Sequence, residues 1–586
     1  MSETALEARE PSAKYLAGAE PALVRGFELL ATAQGGVSRL RGLIRSLAVQ
    51  GLLLSQSGAG ESANILLDRL GHLKHARVAS SRAKAVQPTN DMLARLTGFA
   101  LPYGWGWASL SELGSFASGK TPSTGKPGYW NGRIPWVTPK DMKASRVIDS
   151  EDHISEEAVA DGLAIVPESA VLIVVRSGIL RRTVPVAIAS VLCTVNQDLK
   201  ALTLYEPAMA AYVQLLISGF EPFILRNLTK IGTTVESIKF DEFAACQFPI
   251  PPLAEQHRIV ARVEELMKLC DALEQSGRLA DEQHARLTST LFDALAASES
   301  AHALAENWQR VAEHFDILLD RLEAINAFEQ IGIQLAVRGL LVPQDDGDGS
   351  GHDLRKRHLQ AVPAGGQRGR TELAPRSDDD APFLAPDSWA WASFGEVADV
   401  SGGVTLGRKG ALALPVTLPY LRVANVQRGR LNLTAEVKTV AIDAAELQRF
   451  QLKLGDLLIT EGGDWDKVGR TCIWRGEIAS CLHQNHIFRA RGRTSEWLPE
   501  WGELYLNSAD ARSYFAASAK QTTNLASINM TQLRNCAFPL PPIAEQHRIV
   551  ARVEELRRLC ADLRQRLTKA RETQSRLADA LVAEVA

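Results

Sequence analysis

Gly114-Ser-Phe-Ala-Ser-Gly119-Lys120-Thr121 has the spacing of a phosphate-binding loop, in which backbone amides and a lysine cradle nucleotide phosphates. That chemistry needs a helix that begins at the Lys-Thr pair and aims its free amides at the anion. Here Pro122 follows directly, then Gly125, Pro127 and Gly128, so a helix cannot continue. No hydrophobic strand ending in a partner aspartate accompanies the motif. Nucleotide hydrolysis is therefore not expected. The chain also lacks the Asn/Asp-Pro-Pro-aromatic motif of amino-group methylation; its Pro-Pro pairs are flanked by Ile or Leu. A glycine fingerprint for a methyl-donor cofactor and a nuclease carboxylate–lysine cluster are missing too. His257 and His547 stand at helix starts, where a lone histidine is more often a cap or interface residue than a base.

A second chemistry fits better. Two buried strand-like runs, Ala170–Val175 and Asp456–Thr460, each lead into a glycine-bearing loop, Arg176-Ser-Gly-Ile-Leu-Arg-Arg and Glu461-Gly-Gly-Asp-Trp-Asp-Lys-Val-Gly-Arg. Asn196-Gln197-Asp198 and Gln484-Asn485-His486 follow. Glycine lets backbone approach a duplex, Arg and Lys reach guanine or phosphate, and Asn and Gln pair bidentately with adenine. The same compositions also make ordinary turns.

The elements that must position these loops come from a duplication. Phe248–Leu269 reads FPIPPLAEQHRIVARVEELMKL and Phe538–Leu559 reads FPLPPIAEQHRIVARVEELRRL, a constant offset of 290 (538 − 248) that also carries Cys246 to Cys536 and Cys270 to Cys560. Phe27–Gln56, ending SLAVQGLLLSQ, returns as Phe315–Gln344, ending QLAVRGLLVPQ, at an offset of 288 (315 − 27). The repeats are circularly arranged, so the C-terminal helix is expected beside the N-terminal one. The Pro phrase reads as a lead-in to a helix, with Pro252 suited to the first helical position and Glu255 to the dipole of the first turn. Ile259, Val263, Leu266, Cys270 and Leu273 then recur by four and three. The second copy gives Ile549, Val553, Leu556, Cys560, Leu563, Leu567, Ala570, Leu577 and Leu581, interrupted by Gln574. This predicts a coiled-coil seam; the alternative is an amphipathic helix in an ordinary core. Between the repeats, 101–247 and 384–537 share only a frame: Trp105-x-Trp107 and Trp389-x-Trp391, then the strand starts IPWVTPKDM and LPYLRVANV. Connectors that match and fillings that differ imply one shared task and two versions of another.

Composition bounds the rest. A chain of 586 residues predicts several domains. A net charge of −3 gives no global sign of nucleic acid, although acidic helices can hide basic loops. Seven cysteines without C-x-x-C spacing suggest reduced thiols and no zinc site. No apolar run is long enough to span a bilayer, and the N-terminus is neither a signal nor a transit peptide. The basic run Lys74–Lys84 could touch phosphate or be a solvated linker.

The PPxAEQHRIVxRVEEL phrase, the LAVRGLL phrase and the Trp-x-Trp opening resemble those of the specificity subunits of Type I restriction–modification systems. The resemblance covers nearly the whole chain. It implies an α+β multidomain fold with a pseudo-two-fold internal duplication, in which two α/β target recognition domains are separated by long antiparallel coiled-coil helices. The expected boundaries are an N-terminal repeated segment at 1–56, a linker at 57–100 and recognition domains at 101–251 and 384–541. A helical spacer takes 252–344, a mobile linker 345–383 and the C-terminal repeated helix 542–586. Each domain would read one half of an asymmetric bipartite target in double-stranded DNA. The implied DNA contacts are Lys120, Thr121, Lys140, Arg176, Arg181, Asn196 and Lys230 in the first domain. Those in the second are Arg422, Asn425, Lys467, Arg470, Asn485 and Thr523. Glu255, Gln256, Arg258, Glu545, Gln546 and Arg548 would hold two modification subunits. The chain itself would be non-catalytic and bind no cofactor or metal. S-adenosylmethionine, ATP and magnesium would belong to the modification and restriction subunits, in a bacterial or archaeal cytoplasm. A specificity subunit of a related phage-defence system, or a coiled-coil scaffold with no DNA role, stays open as an alternative.

Overall fold

The computed structural model describes residues 27–55, 61–78, 101–232, 235–361, 381–406, 412–463, 467–522 and 525–585. Residues 1–280 with 571–586 form one compact unit and 281–570 the other.

Each copy of the Pro phrase opens as a strand, because prolines flanked by β-formers tolerate an extended edge. In unit 1 Gln247–Ile250 pairs antiparallel with Gly106–Ser109, placing Pro249 opposite Trp107. In unit 2 Ala537–Leu540 pairs with Ala390–Ser393, placing Pro539 opposite Trp391. The helices begin only after the proline pair, at Leu253–Ala296 and Ile543–Val585. Pro252 therefore lies just ahead of the helix, and its carbonyl accepts from the Glu255 and Gln256 amides at 2.9 and 3.0 Å.

The predicted seams are buried at Ile259, Val263, Cys270, Ile549, Val553 and Cys560, half-buried at the leucines between them and exposed at Ala570, and each faces its unit's own repeated helices. In unit 1 Ile259, Val263 and Cys270 pack with Leu40, Ile44, Ala48 and Val49 of the helix Gly36–Val49, flanked by Arg41 bonds to Asp271 (2.6 Å) and Glu274 (2.8 Å). The repeated segment is helical over Phe27–Thr32 and Gly36–Val49, broken at Gly35, which has φ 71°. The final turns of the chain also lie in unit 1. Ala578, Leu581 and Val582 cover Leu29, Leu30 and Ala33, Arg39 holds Asp579 at 2.6 Å, and Gln574 bonds Thr32 at 3.0 Å. Leu577, placed on the seam by spacing, faces solvent. In unit 2 Leu556, Cys560 and Leu563 pack with Phe292, Phe328 and Leu335, while Arg564 pairs with Glu329.

The phrase ending in GLL has a physical reason. Gly51 and Gly339 end their helices with φ 75° and 76°. Leu52 and Leu340 amides reach back to Leu47 and Leu335 carbonyls at 2.9 Å, a left-handed helix ending that favours glycine. An added Cβ would meet Pro102 at 2.4 Å in one copy and Pro386 at 2.6 Å in the other, with the Trp105 and Trp389 rings beside them.

Part of the expected mobile linker is ordered. Gly351–Gln360 is a helix capped by Ser350, with Leu354 and His358 buried one turn apart. Arg355 grips Glu396 at 2.8 and 3.1 Å and Arg357 grips Glu496 at 2.7 and 3.0 Å. In unit 1 the expected linker likewise holds a helix, Ala63–Val78, which takes in the start of the Lys74–Lys84 run. The remainder of that run and residues 362–380 lie outside the described residues.

The two recognition segments share one sheet frame. In unit 1 the strands run in the order Gly114–Ser118, Leu199–Leu204, Val171–Val174, Val186–Ala189 and Arg146–Val147. In unit 2 the order is Ala398–Gly402, Ile487–Gly492, Leu457–Thr460 and Thr471–Ile473. A second small sheet repeats a parallel pair, Trp136 beside Thr194 and Tyr420 beside Leu482.

Burial pushes His358 and His483 of unit 2 down to about 4. Both rings stay neutral when folded, whereas the unfolded chain takes up protons below about pH 6.5. Their contribution is complete at neutral pH and is lost as pH falls from about 6.5 toward 4. Glu503 and Glu545, pushed up by desolvation, act in the opposite sense, so the comparison between variants is decisive. The urea midpoint of His358→Asn is expected to fall less steeply than that of the parent between pH 6.5 and 4.5; parallel slopes would contradict this.

Candidate nucleic-acid interface

The sequence that mimics a phosphate loop is a β-strand and its exit. Gly114–Ser118 pairs with Leu199–Leu204, and an added Cβ on Gly119 would lie 2.0 Å from the Val195 carbonyl and 2.1 Å from that of Asn196. Gly403 of unit 2 meets the His483 carbonyl at 2.0 Å in the same way. The glycine is required by a close backbone crossing. Lys120 then donates its amide to Val195 at 3.1 Å, as Val404 does to His483 at 2.8 Å.

That crossing gathers most of the candidate residues of unit 1 at one end of the sheet. Lys120 is exposed, and Thr121 donates to Gln197 at 2.5 Å. Arg176 leaves its strand beside Asp198, 2.7 Å away, and its backbone bridges Ser237. Lys230 lies opposite Ser237 in a two-stranded hairpin, and its side chain is exposed. Arg181, also exposed, binds Glu236 at 2.6 Å and holds that carboxyl below its ordinary range. Lys140 is exposed on the turn after Ile134–Val137, and that strand's Val137 carbonyl accepts from the Asn196 amide at 3.0 Å. Asn196, in contrast, is buried. Its side chain bonds the Asp198 amide (3.0 Å) and carboxylate (3.2 Å), so it shapes the loop and is not presented to a duplex.

Unit 2 repeats the arrangement with other residues. Asn485 is half-buried on the crossing and donates its amide to Val404 at 3.0 Å. Lys467 and Arg470 lie on the loop after Leu457–Thr460, where Arg470 reaches Gln427 at 2.8 Å. Arg422 holds the Glu436 carbonyl at 2.7 Å. Asn425 is fully buried; it caps the Arg422 turn and donates to the Asn432 and Ala435 carbonyls at 3.1 Å, which removes it as a contact. Thr523 lies outside the described residues. Spacing passed over the acids that fix these cations, Asp198, Glu236 and Glu461, because carboxylates repel phosphate. Aligning the two crossings would have singled out Asp198, since position 198 falls on His486 at the offset of 288 (486 − 198).

Four of the six residues assigned to subunit contact turn inward. Glu255 accepts from the Trp105 indole at 3.1 Å and Glu545 from Trp389 at 2.9 Å. Gln256 and Gln546 donate to the Pro251 and Pro541 carbonyls at 2.9 Å. All four are buried. They close the junction between strand and helix and offer nothing outward. Arg258 is exposed; Arg548 is half-buried and bonds Asp348 at 2.5 Å. Among the described residues no single helix is long and apolar enough to cross a membrane, and no cluster of His, Cys, Asp or Glu could hold a metal ion.

A family described as "Type I restriction modification DNA specificity domain" matches residues 102–281 and 386–570, one stretch over each recognition segment and the start of its helix. The EcoEI specificity subunit of a Type I restriction enzyme of Escherichia coli is 28% identical over 583 residues, covering 93% of both chains. The EcoAI specificity subunit from the same organism is 27% identical over 571 residues, also covering 93% of both. A crystal structure of the HsdS subunit from Thermoanaerobacter tengcongensis aligns with a TM-score of 0.38 and 16% identity, over 83% of this chain and 97% of that one.

The crossing is expected to be intolerant at its glycine and tolerant at its lysine. Gly119→Ala should cost about 1–3 kcal/mol, because its Cβ meets backbone that cannot move independently. Lys120→Ala should stay within about 0.5 kcal/mol. Denaturant unfolding of the two variants checks this, and equal losses would contradict it.

Proposed function

The chain belongs to the Type I restriction–modification DNA specificity family, and on that premise we propose how its two recognition domains divide the work. It is the DNA-recognition subunit of such a complex. Each domain reads one half of an asymmetric bipartite target. One observation carries this reading: the same order of four strands and the same glycine crossing present different side chains in the two units. A frame held by backbone bonds keeps the pose on DNA, while its exposed loops change the bases demanded.

The long helices are the assembly surface. Their buried residues serve the unit, but His257, Arg258, Arg262, Glu265 and Leu269 of one copy are exposed. In the other copy His547, Arg552, Glu555 and Leu559 repeat that exposure. A repeated outward face suits one kind of modification subunit bound twice. Methyl transfer, with S-adenosylmethionine, and ATP-driven cleavage belong to the partners in this reading, and the chain supplies address and assembly.

Domain exchange tests it. With the modification subunit co-expressed, replacing Leu101–Gln247 by the segment of a relative should change one half of the methylated motif and leave the other as it was, as read by methylation-sensitive sequencing. A change in both halves, or in neither, would overturn modular readout.

A further inference from the structure

The backbone bonds of the two frames bring together two acid–base side-chain pairs that are unrelated in sequence. In unit 1 the Val175 amide donates to the Asp198 carbonyl at 2.8 Å, and Ile238 donates to Val175 at 2.8 Å. In unit 2 the Glu461 amide donates to the His486 carbonyl at 3.0 Å, and Ile528 donates to Glu461 at 2.9 Å. The four residues 175, 198, 461 and 486 thus occupy two equivalent places. Arg176, one residue past Val175, faces Asp198 at 2.7 Å and its amide shares the Asp198 carbonyl at 3.2 Å, while in unit 2 His486 faces Glu461 itself at 2.6 Å. The acid and the base have exchanged strands. In both units the base is the more exposed partner: the Arg176 side chain is 54% exposed against 23% for Asp198, and His486 is 56% against 30% for Glu461.

We propose that these pairs are the specificity-determining contacts at one equivalent base step of each half-site, with Arg176 reading guanine and His486 reading the matching step of the other half. This rests on the DNA-recognition reading above. Asp198 engages the Nε side of the guanidinium and leaves the terminal nitrogens to address the guanine O6 and N7 acceptors together. Glu461 engages Nδ1 of the half-exposed His486 ring and leaves Nε2 for a base, a single-point contact. A planar two-point donor and a one-point ring make different demands on a base edge, which is what two unlike half-sites require. The acids are positioning residues: each fixes a rotamer that would otherwise be lost to side-chain entropy on binding.

A phosphate contact and a base contact at Arg176 predict different results. If Arg176 reads guanine, Arg176→Ala should relax one base pair of one half-site, with discrimination there falling about tenfold or more, while the salt dependence of binding stays as in the parent. Arg176→Lys should not restore it, because an ammonium lacks the planar fork. Asp198→Asn should weaken discrimination at that same base pair, and His486→Ala should relax one base pair of the other half only. The readout is the methylated motif of the chain co-expressed with its modification subunit, together with salt-dependent binding of the assembled complex. A motif left intact by both Arg176→Ala and His486→Ala overturns the inference. So does rescue by Arg176→Lys with a shallower salt slope in Arg176→Ala, which marks a phosphate contact. Loss of folding by the first variant would blank both halves of the motif at once; His486→Ala, in the other unit, then decides. Absence of any motif with the parent chain would instead sink the DNA-recognition reading itself.

Discussion

The bond from a tryptophan indole to a buried glutamate at the head of each long helix is the contact on which the rest depends. Trp105 reaches Glu255 at 3.1 Å and Trp389 reaches Glu545 at 2.9 Å. A carboxylate out of water is costly, and burial pushes Glu545 above its ordinary range. Three features offset that cost in unit 2: the positive end of the helix dipole, the indole N–H, and Gln344, which donates at 2.6 Å. Because an unpaired buried carboxylate would cost several kcal/mol, the tryptophan, the Pro-phrase strand and the helix must all be in place together. The turn that carries Gly51 or Gly339 must also let its chain pass beneath the ring. This explains why three phrases far apart in sequence vary so little between the copies.

With that junction fixed, the sheet above it can change freely. The central strands bury Val171–Val174 and Leu457–Thr460 completely, and their register is held by backbone bonds that specify no side chain. The crossing beneath Gly119 and Gly403 imposes one residue type and leaves its neighbours open: Lys120 in one unit is Val404 in the other. Constraint therefore concentrates where backbone meets backbone. Variation concentrates where side chains leave the frame, at the end of the sheet that carries the candidate contacts.

The sequence made the duplicated frame legible because repetition is visible without any structure. The seam residues Ile259, Val263 and Cys270 are buried as their spacing implies, and periodicity reports burial directly. It could not name what covers them, because a buried stripe looks the same whether it meets another long helix or the shorter Gly36–Val49. Glu255 and Gln256 misled for a related reason. Charged and amide residues in a repeated phrase suggest an outward surface, whereas here they satisfy a distant indole and the carbonyl of a proline just ahead of the helix. Asn196 and Asn425 show the same limit among the loops: an asparagine that could read adenine is equally suited to bonding its own turn. Single residues are ambiguous, and pairs equivalent between the two frames are not, which is why Asp198 and His486 become visible only once the crossings are aligned.

The net charge of −3 then takes on a physical meaning. The cations at the ends of the sheets do not form a bare basic field. Arg176, Arg181 and Arg422 each have a carboxylate beside them, and the His486 ring has Glu461. An acid next to a reading cation lowers its attraction for phosphate, which is common to every sequence. It leaves the directed hydrogen bonds to a base edge, and with the side chain already fixed, those bonds form without further ordering. Such a surface gives up general affinity for discrimination. In the proposed reading the affinity comes from elsewhere in the complex, and the repeated, exposed face of the long helices is available for it.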